Sequence, residues 1–249
     1  MKISVITVCM NSARTIADTL RSFLAQTHPD KELVVIDGGS QDETVSIARS
    51  FAHPAIRIFS ERDNGIYDAM NKGLAAYTGD AVGFLNSNDT FHDARALASI
   101  ASALASAEAA YGDIVFVTDH CSKKIVRTWN AGHYRRGSFR SGWLPPHPTF
   151  YIRRELADRT GRFDLQYGSA ADYDFMLRAL ELHASRVKYI PQFLVDFENG
   201  GQSSGSITGY IKANLLCLKS RQQHLRSPIV DVALIAKPLR KLNQFHWRA

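Results

Sequence analysis

The stretch Leu33-Val34-Val35-Ile36-Asp37-Gly38-Gly39-Ser40-Gln41-Asp42-Glu43 decides the fold. Its first four residues are apolar and mostly branched, which suits a strand buried on both faces. The chain then breaks at Asp37-Gly38-Gly39. Ser40 and Glu43 have the spacing of a capping box, in which two side chains satisfy free backbone N–H groups, so a helix is expected to open there. Strand, glycine turn and helix in succession make half of a βαβ unit.

The same order recurs on either side. Upstream, residues 3–8 read as a buried strand. Asn11 and Ser12 can cap a helix whose inner face is Ile16, Leu20, Phe23 and Leu24. Downstream come a strand at 56–59, a helix at 65–77, a strand at 81–85 and an alanine-rich helix at 93–108. This alternation predicts an α/β fold with a mainly parallel sheet. After residue 110 the pattern loosens. A strand pair is expected at 114–118 and 125–129, then a loop over 130–149 rich in Gly, Pro, aromatics and arginine. Helices near 153–160 and 170–182 and a strand at 187–190 follow, and the tail beyond Gly200-Gly201 reads as helical. Ser227-Pro228 suits a helix start, and Pro238 should end or kink that helix.

Composition bounds the rest. The chain has 249 residues, 45% apolar and 22% charged. A chain of this size buries enough surface to fold without disulfides or a structural metal. Cys9, Cys121 and Cys217 are odd in number and form no CxxC, which excludes a disulfide framework and a structural zinc site and fits a reducing compartment. No run reaches 18 apolar residues, so no spanning helix is expected. The first apolar run lacks a cleavage site behind it and reads as a strand, not a signal peptide. Residues 1–206 carry 22 Lys and Arg against 23 Asp and Glu, whereas residues 207–249 carry eight against Asp231 alone. The body is near neutral and the tail holds a net +7. A nucleic-acid binder more often carries its charge on the body.

In an open parallel sheet, ligands bind beyond the carboxyl ends of the strands. Those ends carry Thr7 to Asn11, then Asp37-Gly38-Gly39, then Glu61-Arg62-Asp63-Asn64-Gly65, then Asn86-Ser87-Asn88-Asp89. Three of the four bring a carboxylate to one edge. Each alone is explained by turns and caps, which favour Asp and Asn; their coincidence points to a site. Neither a G-x-G-x-x-G fingerprint nor a P-loop is present.

These residues carry a resemblance. Thr7-Val8 with Asn11, Val35-Ile36-Asp37-Gly38-Gly39-Ser40 with Asp42 and Thr44, and Glu61 with Asp63-Asn64-Gly65-Ile66-Tyr67-Asp68-Ala69-Met70-Asn71-Lys72-Gly73 resemble glycosyltransferase family 2. Gly79-Asp80 with Gly83-Phe84-Leu85-Asn86-Ser87-Asn88-Asp89, His147-Pro148-Thr149-Phe150, Gly161-Arg162-Phe163-Asp164 and Ala171-Asp172-Tyr173-Asp174 to Arg178 continue it. The branch it resembles most is the bacterial one of colanic-acid-type, exopolysaccharide and O-antigen enzymes. The match covers about residues 1–205, leaving 206–249 as a basic, amphipathic helical tail.

The resemblance implies a GT-A fold and a nucleotide-diphosphate sugar donor, with UDP the expected nucleotide. Asp37 matches the family's aspartate that hydrogen-bonds the base, with Thr7 beside it; a carboxylate accepts from the N3–H of uracil or the N1–H of guanine. Asn11, Asp63, Asn64 and Asn88 complete the expected donor contacts. Asp89 matches the metal-binding aspartate, and Mn²⁺ or Mg²⁺ would neutralise the diphosphate leaving group. Asn86 and Asn88 stand where aspartates often stand, so Asp89 is the only anion of its turn. Asp172 matches the catalytic base, which takes the acceptor hydroxyl's proton in an inverting transfer; a plain helix-N-terminal charge is the rival reading.

His147 is a candidate contact to metal, diphosphate or acceptor, or a structural histidine. Arg135, Arg136 and Arg140, interleaved with Tyr134, Phe139 and Trp143, form either a lid over phosphates or a solvated loop. Gly200-Gly201-Gln202-Ser203 suits a gating loop. Asn71 and Lys72 face the site or end a helix. In the tail, Ile207, Tyr210, Ile211, Leu215 and Leu218 keep helical spacing, as do Val232, Ile235, Ala236, Leu239 and Leu242. A basic amphipathic helix reads as contact with an anionic membrane surface; packing on the domain or on a second subunit is the alternative. The expected acceptor is a saccharide or a lipid-linked one, and the expected location is the cytoplasm at the inner face of its membrane. Two rival functions remain at this stage: a nucleotide-sugar-binding protein impaired in catalysis, and a basic nucleic-acid-binding protein.

Overall fold

The computed structural model describes residues 1–120, 122, 124–198, 207–228 and 232–234. Cys121, the Gly200-Gly201-Gln202-Ser203 segment and Ile235, Ala236, Pro238, Leu239 and Leu242 of the tail lie outside the described residues.

The fold grows from β1 (Ile3–Cys9), which is buried throughout. Its side chains alternate: Ile3, Val5 and Cys9 enter one core cluster, Ile6 and Val8 the other. A strand buried on both faces needs a helical layer on each. β2 (Lys31–Asp37), β3 (Ile56–Ser60) and β4 (Ala81–Phe84) lie parallel to it in the order β3-β2-β1-β4. α1 (Ile16–Leu24) buries Ile16, Thr19, Leu20 and Phe23, following its apolar spacing. α2 (Thr44–Ser50), α3 (Ile66–Ala76) and α4 (Ala96–Leu104) complete this half. α3 packs close to β1 because Gly73 has no side chain; a Cβ there would meet Ile6 Cγ2 at 2.4 Å.

The second half extends the same nine-stranded sheet. β5 (Asp89–Phe91), β6 (Ala109–Val117), β8 (Tyr151–Arg153) and β9 (Val187–Glu198) continue it as β4-β8-β6-β9-β5, and β7 (Ile125–Trp129) pairs with β6. β8 is antiparallel to β4 and β6, β9 is parallel to β6, and β5 is antiparallel to β9. The predicted α/β class with a mainly parallel sheet is therefore the observed one. α5 (Arg154–Thr160), α6 (Ala171–Leu177) and α7 (Ile207–Leu225) follow, and a π-helical turn over Arg178–His183 prolongs α6.

Several local expectations differ. β5 and β8 were not expected, because three residues are too few to display a period. β9 runs on to Glu198, well beyond residue 190. Its register with β6 jumps from Gly112 opposite Ile190 to Asp113 opposite Phe193, so Pro191, which cannot donate to the ladder, sits in a bulge with Gln192. The alanine-rich helix is shorter than 93–108. The capping box is absent: α2 starts at Thr44 with no side-chain cap from Glu43, and the Thr44 N–H donates to Asp42 Oδ1 instead. Asn11 adopts φ 49° and its side chain accepts from the Gln41 N–H at 2.9 Å, so it ties two loops together and does not cap α1.

Over its described part the tail docks on the domain. α7 packs against residues 165–170 and α6. Arg221 is fully buried there and donates to the Tyr173 hydroxyl at 2.9 Å. Ser227 and Pro228 are not helical. Among the described residues, no helix is long and apolar enough to cross a membrane.

Candidate active site

The end of β2 is a hydrogen-bond knot. Asp37 is 1% exposed. Its Oδ2 accepts from Ser60 Oγ at 2.7 Å and from the Gly39 and Ser40 N–H groups at 3.1 Å each, and its Oδ1 accepts from Ser40 Oγ. Burial alone would raise its carboxyl, but these donors outweigh burial and hold it below the ordinary value. Asp37 thus spends its acceptors on its own loop and on the end of β3. Thr7 is likewise buried, its hydroxyl donating to the Leu85 carbonyl at 2.6 Å, which joins β1 to the end of β4. Asp63 is partly exposed, with Oδ1 accepting from the Gly65 N–H at 2.9 Å. Asn64 is exposed and its N–H donates to Asp68 Oδ2 at 2.9 Å.

The turn after β4 is arranged differently from the expectation. Asp89, the expected metal ligand, is 0% exposed, while Asn86 and Asn88 are the partly exposed members. Among the described residues, Asn86 Oδ1 and both Asp89 carboxylate oxygens are buried with no partner at full hydrogen-bond geometry, although the Glu198 N–H lies near Asp89. Burial pushes the Asp89 carboxyl well up; the Glu198 N–H opposes this and the Glu198 carboxylate adds to it. Glu198 is itself tied to Arg14 at 2.6 Å, and His120 Nε2 stands 3.6 Å from its other oxygen and 2.8 Å from the Asn88 carbonyl. Nothing in the sequence pointed to Glu198, which belongs to no motif and reaches the turn only through the pairing of β9 with β5. Among the described residues, no three His, Cys, Asp or Glu side chains gather as a metal site.

Asp172 and His147 come together from distant parts of the chain. Asp172 opens α6 and stays partly exposed. His147 stacks on Phe84, the last residue of β4, at 5.2 Å and meets Phe163 edge-on at 5.9 Å. Its Nε2 is buried with no hydrogen-bond partner among the described residues. Burial lowers the imidazole's affinity for a proton, and the nearby Asp172 carboxylate only partly offsets that. Tyr67, on the first turn of α3, completes the group: burial first, then the Asp172 carboxylate beside it, pushes its phenol up. Tyr67 lies within the motif of residues 61–73, but only folding sets it beside residue 172. Asn71 secures the arrangement. Its side chain donates to the Phe163 carbonyl at 2.9 Å and accepts from the Phe163 N–H at 2.8 Å. Lys72 bridges the Arg62 carbonyl and Glu61, facing the strand-end loop.

The 130–149 loop is fastened. Phe139 and Trp143 are core residues, and Tyr134 packs against the same cluster. Arg136 donates to the Glu181 carbonyl at 3.1 Å, and Arg140 to the Leu225 carbonyl. Arg135 is exposed and its N–H donates to Ser138 Oγ at 3.1 Å.

Comparison with known proteins sets this geometry in context. The family described as Glycosyl transferase family 2 matches residues 4–163. A PGL/p-HBAD biosynthesis glycosyltransferase of Mycobacterium tuberculosis is 31% identical over 210 residues, covering 82% of this chain and 79% of its own. Among solved structures, S. aureus TarS 1-349 in complex with UDP-GlcNAc matches with a TM-score of 0.70 at 19% identity, over 98% of this chain and 73% of that one. The mannosyltransferase PcManGT from Pyrobaculum calidifontis, in complex with GDP-Man and Mn²⁺, matches with a TM-score of 0.66 at 20% identity, over 97% of this chain and 68% of that one. At such identities the structural likeness shows the fold.

Proposed function

The chain belongs to glycosyltransferase family 2 and has its GT-A fold, and from that premise we propose that it is an inverting enzyme of bacterial surface-polysaccharide assembly. It moves a sugar from a nucleotide diphosphate, UDP in our reading, to a saccharide or lipid-linked acceptor. The observation that carries this is the partly exposed Asp172 beside His147 and Tyr67 at the edge where β4 ends. Asp172 takes the proton of the acceptor hydroxyl as that oxygen bonds to the anomeric carbon; the bond to the diphosphate breaks and the configuration inverts. His147, whose proton affinity burial lowers, lies beside the same carboxylate. The donor nucleotide lies over the ends of β1, β2 and β3, near Asn11, Gly38 and Asp63.

A divalent cation fits the 86–89 turn by its donor chemistry. Asp89 and Asn86 hold buried oxygens with no partner at full hydrogen-bond geometry among the described residues, and hard cations take such oxygens together with substrate phosphates. Bound Mn²⁺ or Mg²⁺ would neutralise charge on the departing diphosphate. With a UDP-sugar and Mn²⁺ the protein should release UDP. Asp89→Ala should abolish that release and remove any rise in the melting temperature of the UDP complex caused by Mn²⁺. Asn88→Asp adds an anion to the turn and should lower the Mn²⁺ concentration required. An Asp89→Ala protein with unchanged metal dependence would sink the metal assignment. Nucleotide binding without turnover of any sugar donor would leave a binding protein.

The tail supports a membrane-associated acceptor. Tyr210, Ile211 and Leu215 are exposed on α7, and the tail holds a net +7. An anionic bilayer would gain about 1 kcal/mol per basic residue near its surface. The full chain should therefore sediment with vesicles containing anionic lipid and stay free of neutral ones. Equal behaviour with both would make the exposed face an ordinary protein surface.

A further inference from the structure

Two glycines at the end of β2 leave room for side chains that come from the end of β3. A Cβ on Gly38 would meet Asp63 Oδ2 at 2.4 Å, and a Cβ on Gly39 would meet Arg62 Cγ at 3.2 Å. Asp63 therefore stands where a side chain at position 38 would stand. Asp37 next to it cannot serve a ligand, since its oxygens already take two hydroxyls and two N–H groups. Asp63 differs in two respects. It is partly exposed, and among the described residues only its Oδ1 is engaged, by the Gly65 N–H, whereas Oδ2 accepts no hydrogen bond from them.

We propose that Asp63 Oδ2 is the acceptor that reads the nucleotide base, and that the base it selects is uracil. This rests on the donor-nucleotide reading above. A carboxylate is acceptor-only, so the base must present a donor at that point. Uracil offers a single imide N–H between two carbonyl oxygens. One free carboxylate oxygen suits that N–H, and Arg62, whose Cγ lies against the neighbouring glycine and whose side chain is exposed, carries donors suited to a flanking carbonyl. Guanine presents two adjacent donors, its N1–H and its amino group, which call for both oxygens of a carboxylate. Here the second oxygen is held by Gly65. Cytosine presents an acceptor, not a donor, at the central position, opposite an acceptor.

Calorimetry on the full chain tests this with UDP, GDP and N3-methyl-UDP, the last lacking only the imide proton. The unaltered protein should bind UDP roughly ten- to a hundredfold more tightly than either of the others, the range of a hydrogen bond to a charged group. Asp63→Ala should lower UDP affinity to that of N3-methyl-UDP and leave N3-methyl-UDP unchanged. Gly38 has no positive φ, so an L-residue fits its backbone once Asp63 is truncated. In the Asp63→Ala background, Gly38→Asp returns a carboxylate to the notch, and recovery of the preference for UDP over N3-methyl-UDP supports the assignment. If Asp63→Ala keeps that preference, or weakens both ligands equally, Asp63 only shapes the loop and the inference fails. A preference for GDP that depends on Asp63 overturns the choice of uracil. Absence of binding by every nucleotide, with the fold intact by melting, overturns the donor reading itself.

Discussion

Asp172→Asn should lower sugar transfer by about 10²–10⁴-fold, the usual worth of a general base. The substitution keeps the shape of the side chain and removes its basicity. Asp172 accepts from the Tyr173 N–H at 2.7 Å, and an amide oxygen can keep that bond, so α6 should start as before. Donor affinity should stay nearly constant, because the proposed donor position is over the ends of β1 to β3 and Asp172 approaches from α6. Transfer assays beside calorimetry with UDP separate the two quantities. Loss of UDP binding in a folded Asp172→Asn protein would move the residue from catalysis to donor recognition. Unchanged transfer would make it a helix-terminal charge and no more.

Asp174→Ala should be the most damaging substitution for stability, at about 3–5 kcal/mol, the range for breaking a buried ion pair from one side. Asp174 is fully buried two residues beyond the proposed base. Its Oδ2 takes Arg178 Nε at 2.8 Å, and its Oδ1 takes Ser220 Oγ at 2.8 Å and stands 3.0 Å from His224 Nε2. Burial would raise this carboxyl, but His224, Arg178 and Ser220 together hold it below its ordinary 3.8. A depressed carboxyl stabilises the fold above its unfolded value and loses that effect as the pH falls through the folded one. The contribution is therefore complete near neutrality and disappears only in acid below about pH 4. Ser220 and His224 belong to α7, so the same substitution should loosen that helix and expose it to limited proteolysis. A change within about 1 kcal/mol by denaturant melting, with α7 still protected, would show that apolar packing and not this cluster docks the tail.

Much of the fold was legible because its signals are local. Residues 33–43 announce strand, turn and helix within one stretch, and the alternation that follows needs no knowledge of distant contacts. The misreadings have physical causes of two kinds, one local and one not. Ser40 and Glu43 have the spacing of a capping box, but Ser40 turns its hydroxyl to Asp37, a partner three residues back that satisfies a buried charge. The three-residue strands β5 and β8 exist only because β9, β6 and β4 offer them edges.

By itself, the sequence determined the α/β class, the parallel start of the sheet, the edge at which the strand ends gather their carboxylates, and the family. Only the tertiary structure decided what each carboxylate is free to do. Asp37 and Asp63 look alike as strand-end aspartates, yet one is saturated and buried and the other keeps an open oxygen over Gly38. Asp89 reads as the only anion of its turn, and the structure encloses it while Asn86 and Asn88 stay partly exposed. The basic tail reads as a membrane contact or as a helix packed on the domain, and the structure shows α7 burying Arg221 against the domain and bonding Asp174. The physical reason is common to all three. Residue type and spacing set where a charged group enters the chain, but its availability depends on solvent and on hydrogen-bond donors, and both are supplied by segments far away in sequence.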